Sequence, residues 1–157
     1  MPERVYLETS IISYLAARPS RDLVTAARQQ LNHEWWTNRR PSFEVCVSEF
    51  VIAESALGDP DVAQRRAQWI QDLPSLTMSG EAVALARKLV QAAGLPNRAA
   101  VDALHISLAA CHGIDYLLTW NSAHIANAEF RPKVERTCRE NGYEPPVLCT
   151  PDELMGA

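Results

Sequence analysis

Short apolar runs alternate along this chain with longer stretches in which apolar residues recur at helical spacing. Residues 4–8 read as a first strand, 43–48 as a second and 114–120 as a third strong one. Weaker strands are expected at 75–78 and 146–149. Residues 9–16 open the first helix. Ser20 is expected to cap the next, whose Leu23, Ala27, Leu31 and Trp35 fall at i+4 spacing as one apolar stripe ending at Arg39-Arg40-Pro41. Ser48 is placed to cap a short helix that stops at Gly58. Asp59-Pro60 opens another, with Val62, Ala67 and Ile70 expected to face inward. Ser79 starts a helix carrying Ala82, Ala86, Leu89 and Ala93 and closed by Gly94. Asn97 is expected to cap a helix running to Gly113. Residues 122–141 are expected to be helical in two pieces, with Pro132 opening the second. Thr150-Pro151-Asp152-Glu153 has the form of a capping box.

Strands alternate with helices and no hairpin signal intervenes. The pattern predicts an α/β domain with a mostly parallel sheet of about five strands and helices on both faces. With 157 residues, 47% of them apolar, and no repeat or linker, one domain over 1–157 is expected, with core enough to need no crosslink. The four cysteines, Cys46, Cys111, Cys138 and Cys149, form no C-x-x-C pair and read as free thiols of a reducing compartment. The chain opens into Arg4-Val5-Tyr6-Leu7 without a basic stretch and apolar run, so no signal peptide is expected. No segment approaches the ~18 apolar residues of a membrane span. A soluble cytoplasmic protein is the expectation. The net charge of −4 argues against broad, non-specific duplex binding. It leaves room for a local basic patch beside an acidic site.

Ligands of open α/β sheets bind outside the carboxyl ends of the strands. Glu8 ends the first strand and Asn121 the 114–120 strand, while Glu54 lies less than two turns into the helix after the second strand and Asp102 near the start of its own helix. From Ala99 to Cys111 only Asp102 and His105 are ionisable, in a helix apolar on all sides. A buried carboxylate is costly unless paired or bound to a metal. Its structural alternative is a carboxylate stabilised by the helix dipole. Glu54 is another lone charge in an apolar helix, and Glu8 alone is an ordinary strand-end glutamate. Their combination suits Mg²⁺ or Mn²⁺, which prefer oxygen ligands and can assist phosphoryl transfer. No Walker loop, G-x-S-x-G elbow or His/Cys ligand motif competes.

These residues resemble a known family. Tyr6-Leu7-Glu8-Thr9-Ser10 resembles the opening strand of PIN-domain proteins, and Ser48 to Glu54 their second acidic segment. Ala100-Val101-Asp102-Ala103-Leu104-His105-Ile106 is similar to the third. The stretch from Leu117 to Asn127, with Thr119-Trp120-Asn121 and His124-Ile125-Ala126-Asn127, is similar to a segment of one PIN subgroup. The resemblance implies a PIN fold and Mg²⁺- or Mn²⁺-dependent RNA cleavage. It also implies the toxin of a type II, VapC-type toxin–antitoxin pair, commonly a homodimer held inactive by a small antitoxin protein. Glu8, Glu54 and Asp102 become the expected metal ligands, with Asn121 assisting catalysis. Glu8 stands where aspartate is usual in the family. Asn121 stands where many members have aspartate. These two departures motivate the alternative of a catalytically weak RNA- or protein-binding module.

Thr9 and Ser10 are candidates to hydrogen-bond the carboxylates or a substrate phosphate, with helix capping as the alternative. His105 reads as a packed histidine rather than a base, and His124 and Asn127 as braces of the loop after the strand. Trp120 reads as core rather than a base-stacking platform. Arg39-Arg40, Arg65-Arg66, Arg87-Lys88 and Arg98 are candidate phosphate contacts, with solvated charge as the default.

Overall fold

In the computed structural model, which describes residues 1–156, five short strands form one parallel sheet. They are β1 (Arg4–Leu7), β2 (Glu44–Ser48), β3 (Ser75–Leu76), β4 (Tyr116–Leu118) and β5 (Val147–Cys149), in the spatial order β3-β2-β1-β4-β5. The helices are α1 (Thr9–Ala16), α2 (Leu23–Glu34), α3 (Glu49–Ser55), α4 (Pro60–Ile70), α5 (Gly80–Ala92), α6 (Ala100–Cys111) and α7 (Arg131–Glu140). The α/β class and parallel sheet expected from the sequence are what the chain adopts.

Val5, Tyr6 and Leu7 are all fully buried. Neighbouring strand residues point to opposite faces, so three buried in a row means that both faces of β1 are covered. Helices α1 to α4 pack among themselves, and α5 packs on α6 and α7. Every connection is a crossover. The chain goes from β1 outward to β2 and β3, then returns past β1 to β4 and β5. The order therefore switches between β1 and β4, and in such sheets the crevice at the switch point, outside the carboxyl ends, is where ligands bind.

Several local expectations needed correction. The cap of α2 is Asp22, whose side chain accepts from Thr25 N–H, while Ser20 Oγ accepts from Asp22 N–H. The apolar stripe of α2 does not face the core throughout. Trp35 is buried and Leu31 half-buried, but Leu23 and Ala27 are exposed. The positions turned inward are polar. Gln29 donates to Arg18 C=O and accepts from Ser20 N–H. Asn32 donates to Ile11 C=O and accepts from Trp120 Nε1, so burial leaves neither amide unpaired.

On α4, Ile70 is buried and Val62 half-buried, whereas Ala67 is exposed. Asn97 begins a 3-10 turn behind Pro96 rather than capping α6, which starts without a side-chain cap. Only the second of the two helical pieces expected within 122–141 forms. The first is a run of turns braced by Asn127, which donates to the Ser122 and Ala123 carbonyls and accepts from Glu129 N–H.

The caps at Ser48, Asp59 and Ser79 form as read, as does the Thr150–Glu153 capping box. All four cysteines are free thiols. Burial pushes Cys46 and Cys138 up to about 11. Among the described residues no helix is long and apolar enough to cross a membrane.

Candidate active site

The strand ends bring three polar clusters to the carboxyl edge. Glu8 follows β1 and its backbone N–H pairs with Leu118 C=O on β4. It occupies the N-cap position of α1, yet its side chain makes no capping bond. Instead its Oε1 accepts from Ser10 Oγ at 2.5 Å and Thr119 Oγ1 at 2.6 Å, in a setting where the residue is only 7% exposed. Ser10 Oγ in turn accepts from Trp120 N–H, and Thr119 Oγ1 from Asn121 N–H. The same two hydroxyls thus fix the Glu8 carboxylate and the backbone leaving β4.

Glu54, in the last turn of α3, forms the second cluster. Its Oε1 receives Thr9 Oγ1 at 2.5 Å and pairs with His105 Nε2 at 2.7 Å. Thr9 and Ser10 therefore each hold a carboxylate, one on either side of α1's first turn.

Asp102 forms the third. It lies in the first turn of α6. Asn121 Nδ2 donates to its Oδ1 at 2.9 Å, and His124 Nδ1 lies 2.8 Å from its Oδ2. The Asn121 carbonyl oxygen is engaged as well, accepting from Ala123 and His124 N–H. Asn121 is therefore the clasp between the turn after β4 and Asp102. His124, read from sequence as a loop brace, touches a candidate site carboxylate directly.

Local spacing gives no signal for Thr119 or His105 as partners of the carboxylates. Thr119 sits within the T-W-N segment, but only the fold carries its hydroxyl to Glu8, 111 residues away. Trp120 is 8% exposed and donates through Nε1 to Asn32, so it is part of the core rather than a stacking platform.

Among the described residues no Lys or Arg pairs with Glu8, Glu54 or Asp102, and the latter two are instead hydrogen-bonded to His105 and His124. The candidate cations divide into two kinds. Arg65 and Arg66 donate to backbone carbonyls, and Arg39 and Arg40 lie over Phe43 and Trp36. Arg87, Lys88 and Arg98 are exposed, and Arg98 precedes Asp102 by one helical turn.

Burial alone would raise the Glu54 carboxyl. Hydrogen bonds from His105 and Thr9 oppose it, and the group is held below the ordinary carboxylate range. A depressed native pKa gives a stabilising contribution that is complete above the unfolded value near ~4.3 and lost as pH falls through the native one. Glu54→Gln lacks this contribution. The stability gap between wild type and variant, followed by thermal melting from neutral to strongly acid pH, is expected to shrink below about pH 4. A gap constant across that range would contradict the assignment.

Among the described residues, no three His, Cys, Asp or Glu side chains gather as a group that could hold one metal ion. In donor type and charge, however, the residues fit a hard divalent cation: three carboxylates follow the strand ends or open α6, and among the described residues none has a Lys or Arg counter-ion. The hydrogen bonds to Glu8 and Glu54 all fall on Oε1, leaving each Oε2 uncommitted.

The sheet defines the class: a parallel α/β domain with candidate carboxylates beyond the ends of β1 and β2 and in the first turn of α6. The PIN domain family matches residues 5–130, from β1 through the turns that lead into α7, and the chain belongs to that family. PIN domains are generally nucleases and typically use divalent metal ions. No curated protein matches the chain.

Proposed function

We propose that this protein is a Mg²⁺- or Mn²⁺-dependent endoribonuclease that hydrolyses RNA phosphodiesters. The observation that carries this reading is the set of three carboxylates, Glu8, Glu54 and Asp102, drawn from β1's end, α3 and α6 to one edge without Lys or Arg partners. Glu8, Glu54 and Asp102 would hold the cation. The chemistry such an ion supplies is neutralisation of phosphodiester charge and activation of water. Ser10 and Thr119 orient Glu8, Thr9 and His105 orient Glu54, and Asn121 with His124 orients Asp102. Arg98, exposed one turn before Asp102, would contact a substrate phosphate.

The resemblance of the chain to compact PIN-domain proteins supports the finer reading of a type II, VapC-type toxin. Such a toxin acts on cytoplasmic RNA as a homodimer and is restrained by a small antitoxin protein. A small reading frame beside this gene, whose product abolishes cleavage when added, is the expected companion.

The test is direct. Purified protein is incubated with single-stranded RNA and Mg²⁺ or Mn²⁺, with and without EDTA. Cleavage that stops with chelator is expected, and cleavage indifferent to it would overturn the reading. A second reading, a binding module that holds RNA or a protein without cutting, is favoured by one observation: both Asp102 oxygens are already hydrogen-bonded. It predicts no hydrolysis and no gain on Glu8→Asp.

A further inference from the structure

The His105 ring is 1% exposed and packs near Phe50 and Tyr6, yet both its nitrogens are engaged. Nδ1 lies 2.6 Å from Tyr6 Oη and Nε2 lies 2.7 Å from Glu54 Oε1. Tyr6 Oη also lies 2.8 Å from Ser48 Oγ, and Ser48 Oγ accepts from Val51 N–H at the cap of α3. Ser48 and Tyr6 are both fully buried, so neither hydroxyl has water to bond. A hydroxyl has one proton to give, and these contacts therefore have to share a direction.

Three arrangements of the ring protons exist. If Nδ1 alone carried the proton, the Nε2 lone pair would face a carboxylate oxygen at 2.7 Å, two acceptors in contact. If both nitrogens carried protons, Nδ1 would donate to Tyr6 and Tyr6 to Ser48. The buried Ser48 proton would then have no acceptor among its contacts. With the proton on Nε2, every link closes. Val51 N–H donates to Ser48, Ser48 to Tyr6, Tyr6 to His105 Nδ1, and His105 Nε2–H to Glu54 Oε1.

We propose that His105 is a positioning residue. It ends a one-way hydrogen-bond chain from Val51 through Ser48 and Tyr6, and this chain pins Glu54 by Oε1 so that Oε2 faces the site. The role rests on the reading of Glu54 as part of a nuclease site. The chain itself is a property of the fold and can be tested without activity. It joins the strand ends of β1 and β2 to α3 and α6, so it aligns the two helices that carry Glu54 and Asp102. Partners of this kind typically change metal affinity or activity by about 10- to 100-fold when removed.

The experiment has two arms. Long-range proton–nitrogen NMR of the wild-type protein reads the His105 ring directly. The expected signature is a protonated Nε2 and an unprotonated Nδ1 at neutral pH, and a proton on Nδ1 would overturn the chain. RNA-cleavage kinetics then compare His105→Leu with His105→Gln, whose amide can still donate at the Nε2 position. His105→Leu is expected to lose about 10- to 100-fold in kcat with KM nearly unchanged, and His105→Gln to recover most of it. Equal kcat in wild type and a folded His105→Leu would refute the positioning role. If the wild-type protein cuts no RNA at all, the nuclease reading fails, while the NMR result still decides the chain.

Discussion

Asp102→Asn is expected to lower RNA cleavage by about 10²–10³-fold, the size seen when one electrostatic contact at a reacting centre is removed. Its melting temperature should stay within a few degrees of wild type. Asparagine has the same shape, and its Oδ1 can still accept from Asn121 Nδ2. The new Nδ2 faces His124 Nδ1, which becomes the acceptor when the partly exposed imidazole carries its proton on Nε2. The lost charge removes a favourable interaction with the start of α6, about 0.3–1 kcal/mol. For a domain of this length that corresponds to roughly 1–4 °C. Activity therefore falls without the fold. Thermal melting and cleavage rates on the same preparation check both halves, and a folded variant with wild-type activity would remove Asp102 from the site.

Leu117→Ala is expected to be the more damaging change to stability. Leu117 is fully buried in β4, between Tyr6 of β1 and Leu148 of β5. Emptying such a site costs about 2–5 kcal/mol, because the surrounding strands cannot collapse into the space. A lower urea midpoint at nearly unchanged slope is the expected result. The strand also delivers Thr119 and Asn121 to Glu8 and Asp102, so cleavage should weaken even where the variant stays folded. A midpoint equal to wild type would show that β4 is not central to the core.

The strands were legible because each is a short apolar run between helical stretches, and burial on both faces leaves no alternation to blur it. The inner face of α2 was not legible. Its buried positions, Gln29 and Asn32, look solvent-facing until partners at Arg18, Ile11 and Trp120 arrive through the fold. The candidate carboxylates stood out as lone charges in apolar segments. Their orientation did not, since it depends on hydroxyls and rings from distant strands: Thr119 for Glu8, Thr9 and His105 for Glu54. His105 read as a packed histidine, and it is packed. Its link from Tyr6 to Glu54 spans 99 residues on one side and 51 on the other, beyond what local spacing can express. The first helical piece expected after β4 failed for a local reason: Asn127 Nδ2 occupies the Ser122 and Ala123 carbonyls, which a helix would have bonded to its own N–H groups.

The central claim is a cation-dependent carboxylate site, and a metal titration of RNA cleavage tests it most directly. Chelated wild-type protein is titrated with Mg²⁺ and separately with Mn²⁺ on a single-stranded RNA, beside Asp102→Asn under identical conditions. No cleavage is expected at zero metal, with a saturable rise for wild type and almost none for the variant. Cleavage at zero metal, or a variant that rises to the wild-type rate, would contradict the claim.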